Sequence, residues 1–134
     1  MTQFEHQRHK DGTTLMRARE IIVACAPMRS NVNISSVART ASACAVERLV
    51  LTGNATLISK IARDGAEELD ISIHRSLAPV LLKLKKEGYR LVGLEQTTNS
   101  TSMHSYTFAR RTVLVVGNER TGLTEEILAL LDDV

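Results

Sequence analysis

The stretch TVLVVGNERTGL, residues 112 to 123, joins an uninterrupted apolar run to a polar loop that contains two glycines. A run as apolar as VLVV predicts a strand buried on both faces, which is typical of a parallel sheet covered by helices. Gly117 and Gly122 allow a tight turn and the close approach of another group. Thr124 can cap a helix that follows. The stretch therefore predicts a strand, a loop and a helix of an α/β domain.

Short apolar segments alternate with helical patterns from residue 21 onward. The predicted strands are residues 21–26, 48–52, 71–74, 90–95 and 112–117. The first predicted helix has apolar residues at helical spacing, namely Ile34, Val37, Ala38, Ala41 and Ala45. Residues 57–68 and 77–87 have the pattern of two more helices, the second closed by Gly88. We predict a three-layer α/β domain over residues 20–134, with a mostly parallel sheet flanked by helices, behind a flexible polar arm of residues 1–19.

The composition limits the classes of partner. With 43% hydrophobic residues among 134, the chain suits one compact domain. Lys and Arg exceed Asp and Glu by only 17 to 15, so an RNA partner requires a local basic patch. Aromatic residues make up 3% of the chain, which argues against a surface that stacks single-stranded bases.

Metal and membrane partners find no support in the sequence. Cys25 and Cys44 stand outside any CxxC pattern, so we predict neither a zinc site nor a disulfide. No apolar run reaches the roughly 18 residues that a membrane span needs, and the first residues do not resemble a signal peptide. We expect a soluble, cytoplasmic protein that binds no metal ion and no membrane.

A second polar segment, PMRSNVNISSVAR at residues 27 to 39, follows the first predicted strand. Ligands of open α/β sheets bind beyond the carboxyl ends of the strands, so this loop and the one after residue 116 are informative. Asn31 or Asn33 can cap the helix that begins here, and Arg39 lies six residues after Asn33. Taken alone, helix capping and a solvated Arg39 explain this segment without any function.

Neither loop carries a nucleotide-binding fingerprint. GNERTG lacks the GxGxxG spacing and the GxxxxGK phosphate loop, and no glycine follows the first predicted strand. The sequence thus disfavours Rossmann dehydrogenases and Rossmann methyltransferases. It also ranks a flavodoxin-like binder of small molecules last, because that design needs a phosphate-binding loop after the first strand.

Together the two loops resemble the signature of the SpoU family of RNA 2'-O-ribose methyltransferases, in the SPOUT class whose fold contains a trefoil knot. Asn33, Arg39 and the small-residue run RTASACAV match the first motif of that family. The second motif, GxExxGL, is matched by Gly117, Glu119, Gly122 and Leu123, and ARDGAEEL at residues 62 to 69 looks like the family's helix after strand two. The resemblance covers about residue 20 to the end.

The resemblance also implies a third motif, a proline-containing loop followed by a Ser/Asn-rich helix. We expect Asp132, Asp133 and Val134 to begin the strand that leads to it. The expected fold is therefore SPOUT-like with the C-terminal segment that completes the knot missing. One wall of the cofactor pocket would be missing with it, so we expect this chain to bind cofactor poorly.

The activity implied by the resemblance is transfer of a methyl group from S-adenosyl-L-methionine to a ribose 2'-oxygen of tRNA or rRNA. Arg39, Asn33 and Glu119 are the predicted catalytic residues. Because an arginine stays protonated, we expect Arg39 to orient the 2'-oxygen or a neighbouring phosphate rather than to act as a base. Asn33 would donate to substrate oxygens, and Glu119 would order Arg39 or accept a hydrogen bond in the site.

The cofactor-binding residues follow from the same resemblance, whereas the RNA-binding residues are predicted from basic side chains on and near the motif loops. Cofactor contacts are predicted at the backbone of strand ends, namely Leu94, Glu95, Gln96, Gly117 and Glu119. RNA contacts are predicted at Arg29, Asn31, Arg39 and Arg120, with Arg110 and Arg111 as further members of a basic patch. Gly93, inside a strand, is predicted to be a packing glycine. The family resemblance implies a homodimer, and the alternative to an enzyme is a non-catalytic RNA-binding or dimerising domain.

Overall fold

The computed structural model describes residues 20–56 and 69–134. The predicted arm of residues 1–19 and the predicted helix of residues 57–68 lie outside the described residues. Within the described ranges there are five strands, β1 Glu20–Cys25, β2 Arg48–Thr52, β3 Ile71–His74, β4 Arg90–Leu94 and β5 Arg111–Val116. They alternate with three helices, α1 Asn31–Ala43, α2 Leu77–Lys86 and α3 Glu125–Leu128. None of these helices is long and apolar enough to cross a membrane.

The five strands form one sheet in the order β3-β2-β1-β5-β4. Every pair of neighbouring strands is parallel, which confirms the predicted parallel sheet. β1 pairs with β5 along its whole length, with Cys25 opposite Val116 at their carboxyl ends. The loops that follow β1 and β5, far apart in sequence, therefore start side by side.

Helices cover both faces of the sheet. Successive residues of a strand point to opposite faces, so Ile22 and Ala24 of β1 pack on one side, and Val23 and Cys25 on the other. The first side holds the buried residues of α2 and α3, and the second holds those of α1. This arrangement confirms the predicted three layers and explains why the strands are apolar without alternation.

Ser30 is the cap of α1, so the prediction that Asn31 or Asn33 caps this helix is wrong. The Ser30 hydroxyl oxygen accepts from the Asn33 backbone amide at 3.1 Å, and Ser30 has the extended backbone of a capping residue. Asn31 is instead the first residue of the helix. The helix ends at Ala43, and Ala45 lies beyond it with φ +54, so placing Ala45 on the helix is also wrong.

Strand ends depart from the predictions by one residue. Ala26, Glu95 and Gly117 were predicted as the last residues of strands, and each lies just outside its strand. Glu87 likewise caps α2 rather than belonging to it, and Gly88 follows with φ +95. Glu95 and Gly117 are consequently loop residues. Their polar groups can form contacts other than the hydrogen bonds between neighbouring strands.

The segment 132–134 lies along the free edge of β4. Asp133 forms a parallel bridge with Val92, and its carbonyl oxygen accepts from the Gly93 amide at 2.9 Å. The Val134 carbonyl oxygen accepts from the Thr101 amide at 2.9 Å. These contacts support the prediction that a strand begins here, whereas the knot stays a prediction.

Packing of α1 on the sheet requires small side chains. Ile34, Ala38 and Ala41 are buried, and Ala38 is 0% exposed. We expect Ala38→Leu to lower the free energy of unfolding by about 1–3 kcal/mol, because the extra volume has no space between helix and sheet. Urea denaturation measures this change. Ala43→Leu at the exposed end of α1 is the control, and an equal effect of both substitutions would contradict the close packing.

Candidate active site

Three loops meet at the carboxyl edge of the sheet. They follow β1, β5 and β4, which are consecutive neighbours in the sheet. In such sheets ligands bind at this edge, next to the point where the order of strands reverses. That point lies between β1 and β5, so the two motif loops flank it.

The loop after β5 folds back on itself. The Asn118 amide donates to the Gly122 carbonyl oxygen at 3.1 Å, and the Gly122 amide donates to that of Asn118 at 2.9 Å. The Asn118 side-chain oxygen accepts from the amides of Arg120 and Thr121 at 2.8 and 3.1 Å. The residues between the two glycines are thus held as a compact turn.

Both glycines of this loop are required by its geometry. A Cβ on Gly117 would lie 2.5 Å from the carbonyl carbon of Gly122, closer than real Cβ atoms come to backbone. Gly122 has φ +67, where other residues are strained. The spacing of the two glycines in the GxExxG motif therefore has a physical cause, which is independent of any cofactor contact at Gly117.

Glu119 extends from this turn to the start of α1. One carboxylate oxygen accepts from the Arg29 backbone amide at 2.7 Å. This hydrogen bond is the main cause that lowers the pKa of Glu119, helped by the Ser30 amide and the Asn33 side chain. Glu119 is therefore ionised at neutral pH and acts as an acceptor at a helix N-terminus, where negative charge is favoured. The structure brings Asn33 and Glu119, two of the predicted catalytic residues, together.

A second contact joins the same two loops. The Asn118 side-chain amide donates to the Pro27 carbonyl oxygen at 2.9 Å. Sequence reasoning missed Asn118, because a single asparagine in a turn is usually explained by the turn alone. The loop after β1 is thus held at Pro27 by Asn118 and at Arg29 by Glu119.

Glu95 holds the turn from the opposite side. Its two carboxylate oxygens accept from the backbone amides of Gln96 and Leu123, each at 3.0 Å. These hydrogen bonds, the one from Gln96 first, lower the pKa of Glu95. A Cβ on Gly122 would collide with this carboxylate. The cofactor contact predicted at Glu95 concerns its backbone, whereas its side chain is engaged with the loop of the second motif.

A pocket of about 410 Å³ opens beside β4. Leu94, Glu95 and Gln96 line it, as do Met103 and the edge-to-face pair Tyr106 and Phe108. Three predicted cofactor contacts therefore share one pocket, whereas Gly117 and Glu119 do not line it. The sequence predictions assigned no function to Tyr106 or Phe108. The available signal was that Tyr106 and Phe108 are two of only four aromatic residues.

The loop after β4, which lines this pocket, is joined to the segment 132–134 by hydrogen bonds. The Tyr106 hydroxyl and the Arg90 guanidinium both donate to the same Asp133 carboxylate oxygen, each at 2.7 Å. Arg90, and after it Tyr106, lowers the pKa of Asp133. Gly93 lies within β4, where a Cβ would collide with the Leu131 side chain. The prediction that Gly93 is a packing glycine is therefore confirmed.

The predicted RNA-binding residues lie in different surroundings. Arg29 and Arg120 are exposed on the two motif loops. The Asn31 side-chain oxygen instead accepts from the Thr56 amide at 3.3 Å, which joins α1 to the loop after β2. Arg110 and Arg111 pair with Glu20 at the amino ends of β1 and β5, whereas the motif loops follow the carboxyl ends. Their predicted place in one patch with the motif loops is therefore wrong.

Arg39 does not join the Glu119 cluster. It is exposed on α1, about 9 Å along the helix axis from Asn33. The described residues offer it no ion pair or hydrogen bond, and the contacts of Glu119 go to Arg29, Ser30 and Asn33. The prediction that Glu119 orders Arg39 has no support in these contacts.

The described residues contain no group of three or more side chains that could hold a metal ion. Cys25 is buried, and burial raises the pKa of its thiol to about 12. Cys25 is therefore protonated at neutral pH and is not a nucleophile. The chemistry available at this edge of the sheet comes from amides, carboxylates and arginines.

Acid should weaken the contact between Glu119 and α1. The pKa of Glu119 is lowered from 4.5, so its ionised form stabilises the fold above about pH 4.5, and this contribution is lost as pH falls through the lower folded pKa. We expect the free energy of unfolding to fall less steeply below pH 5 in Glu119→Gln than in the wild type. Denaturation between about pH 3 and 7 measures the slopes. Equal slopes for Glu119→Gln and the wild type would contradict the assignment.

Curated proteins whose names describe tRNA methyltransferases are similar to this chain. The tRNA (guanosine(18)-2'-O)-methyltransferase of Escherichia coli K12 is 28% identical over 103 residues, which cover 75% of this chain and 45% of that protein. The Aquifex aeolicus protein of the same name is 28% identical over 121 residues, covering 87% of this chain and 57% of its own length. The chain thus spans about half the length of the curated relatives it matches.

Solved structures share the fold. The A. aeolicus TrmH/SpoU tRNA modifying enzyme superposes with a TM-score of 0.79 at 26% identity, over 87% of this chain and 61% of that chain. The SpoU methyltransferase AviRb from Streptomyces viridochromogenes, solved in complex with AdoMet, matches in fold with a TM-score of 0.75 at 23% identity, over 88% of this chain and 50% of that one. The model of the SpoU rRNA Methylase family matches residues 20–134. The chain belongs to the SpoU rRNA Methylase family.

Proposed function

We propose that the whole protein transfers a methyl group from S-adenosyl-L-methionine to a ribose 2'-oxygen of RNA. The observation that carries this proposal is the junction of the two motif loops, where Glu119 binds the Arg29 amide and the Asn33 side chain. Membership of the SpoU family and the names of the curated relatives support it. The pocket beside β4 lies at the same edge of the sheet.

The proposed substrate is tRNA or rRNA, and tRNA is favoured. The curated relatives are named as tRNA (guanosine(18)-2'-O)-methyltransferases. Arg29 and Arg120, exposed on the two motif loops, offer guanidinium groups for phosphates at the rim of the site. A net charge of only +2 makes this local patch more important than the bulk charge.

The proposed place of the cofactor is the pocket lined by Leu94, Glu95 and Gln96. Its volume of about 410 Å³ suits a nucleoside-sized group, and Tyr106, Phe108 and Met103 make it apolar with few polar groups. S-adenosyl-L-methionine would supply an electrophilic methyl group on its sulfonium. The chain contributes strand-end backbone and apolar side chains that exclude water.

A ribose hydroxyl is a weak nucleophile that must be oriented for transfer. The Asn33 side chain lies beside Glu119 at the start of α1, where its amide group would donate to an oxygen of the substrate. Glu119 is ionised, and one of its carboxylate oxygens already accepts from the Arg29 amide, so its proposed role is to hold the start of α1 rather than to take the proton. Arg39 stays protonated and would bind the 2'-oxygen or an adjacent phosphate as negative charge develops.

A homodimer and a cytoplasmic location belong to the same proposal. Both are implied by the resemblance to RNA-modifying enzymes of the SpoU family. Leu94 and Met103, which line the pocket, are 50% and 59% exposed, so they keep apolar surface that a partner subunit can cover.

The proposed activity is tested with labelled cofactor. We expect the whole protein, incubated with labelled S-adenosyl-L-methionine and total tRNA, to yield a 2'-O-methylated nucleoside on digestion and chromatography. A reaction with rRNA in place of tRNA identifies the preferred substrate, and a reaction without protein is the control. Absence of any ribose-methylated nucleoside would contradict the proposal, and RNA binding without transfer would favour the non-catalytic alternative.

Substitution of Arg39 separates substrate chemistry from cofactor binding. We expect Arg39→Ala to lower kcat about 100-fold or more, because a charged donor aimed at the reacting oxygen is lost. The Kd of S-adenosyl-L-methionine, measured by calorimetry, should change by less than about threefold, since Arg39 does not line the pocket. Lys86→Ala, at the end of α2 on the other face of the sheet, is the control. A wild-type kcat in the Arg39→Ala variant would contradict the catalytic role proposed for Arg39.

A further inference from the structure

Glu95 is the point at which the loop after β4 contacts the loop after β5. One of its carboxylate oxygens accepts from the Leu123 amide across 28 residues of sequence, while the other accepts from its own neighbour Gln96. The carboxylate therefore spans two backbone amides, and the lowered pKa of Glu95 keeps it ionised at neutral pH. Gly122 leaves the space that this approach requires.

The loop that Glu95 holds carries the contacts to α1. Asn118 and Gly122 are paired through their backbones, so the residues between them move as one turn. From that turn Asn118 reaches Pro27, and Glu119 reaches Arg29 and Asn33. A continuous series of hydrogen bonds thus runs from the loop after β4, through the loop after β5, to the loop after β1.

We propose that Glu95 is a positioning residue, which fixes the loop of residues 117–123 so that Glu119 holds Asn33 at the start of α1. The proposal rests on the methyl transfer proposed above. Glu95 also lines the pocket, so a single carboxylate connects the wall of the pocket with the loop that orients Asn33. This role of the side chain is additional to the cofactor contact predicted for the backbone of Glu95.

Glu95→Gln is the informative substitution, because it keeps the shape of the side chain. The amide offers one acceptor oxygen in place of two, and its NH2 group faces a backbone N–H that it cannot satisfy. The matched control is Glu126→Gln on α3, an exposed carboxylate outside the three loops. If Glu95→Gln does not fold, Glu95→Asp, which keeps the charge and shortens the reach, replaces it with the same expected pattern.

Amide hydrogen exchange tests the structural link without any assay of activity. In Glu95→Gln we expect the Leu123 and Arg29 amides to exchange about tenfold faster than in the wild type, because loosening the turn also loosens Glu119. Glu126→Gln should leave both rates unchanged. Faster exchange at Leu123 with an unchanged rate at Arg29 would overturn the proposal, and so would unchanged rates at both amides.

Kinetics test the consequence for the reaction. We expect Glu95→Gln to lower kcat about tenfold while the Kd of S-adenosyl-L-methionine stays within roughly threefold of the wild type. In a Glu119→Gln background the added substitution should have little further effect on kcat, because both act through one series of contacts. A raised cofactor Kd with unchanged kcat would make Glu95 a cofactor ligand and overturn the positioning role. Full additivity of the two substitutions would do the same.

The two proposals fail in different ways. A whole wild-type protein that methylates no RNA would contradict the proposed function, and the exchange rate of the Arg29 amide would still decide whether Glu95 holds the loops together. Active wild-type protein with unchanged kcat in folded Glu95→Gln would contradict the positioning role alone.

Discussion

The parallel pairing of β1 with β5 is the constraint on which the candidate site depends. It places Cys25 opposite Val116, so two loops separated by about 90 residues leave the sheet as neighbours. Only then can Glu119 reach the Arg29 amide at 2.7 Å. Loss of this register would shift every contact between the loops, because successive residues of a strand point to opposite faces.

Carboxylates provide most of the contacts that close the site. Glu119 satisfies backbone amides at the start of α1, and Glu95 satisfies those of Gln96 and Leu123. The Arg29 and Leu123 amides have no partner within their own segments, so an ionised acceptor from a neighbouring loop stabilises both segments. Among the described residues, no buried side-chain nitrogen or oxygen lacks a hydrogen-bond partner. The same two carboxylates make this edge of the sheet sensitive to acid.

The pocket and the motif junction are separate parts of one edge. The pocket is apolar and depends on the loop after β4, which Tyr106, Arg90 and Asp133 fasten to the segment 132–134. The junction is polar and depends on the turn of residues 117–123. Glu95 belongs to both, and under the proposed positioning role a change in the loop after β4 would also affect Asn33.

The class of fold, the family and most of the helices and strands could be predicted from the sequence. Apolar runs such as VLVV and the helical spacing of Ile34, Ala38 and Ala41 are local patterns, and local patterns are visible in a sequence. The tertiary structure decided how the side chains are used. In the folded chain Ser30 caps α1, and Arg111 lies at the amino ends of the strands, away from the motif loops. Tyr106 and Phe108 line a pocket, and Glu95 accepts a hydrogen bond from a loop 28 residues away. Those outcomes depend on which strands become neighbours and on the distances between loops, and neither quantity is contained in the spacing of residues along the chain.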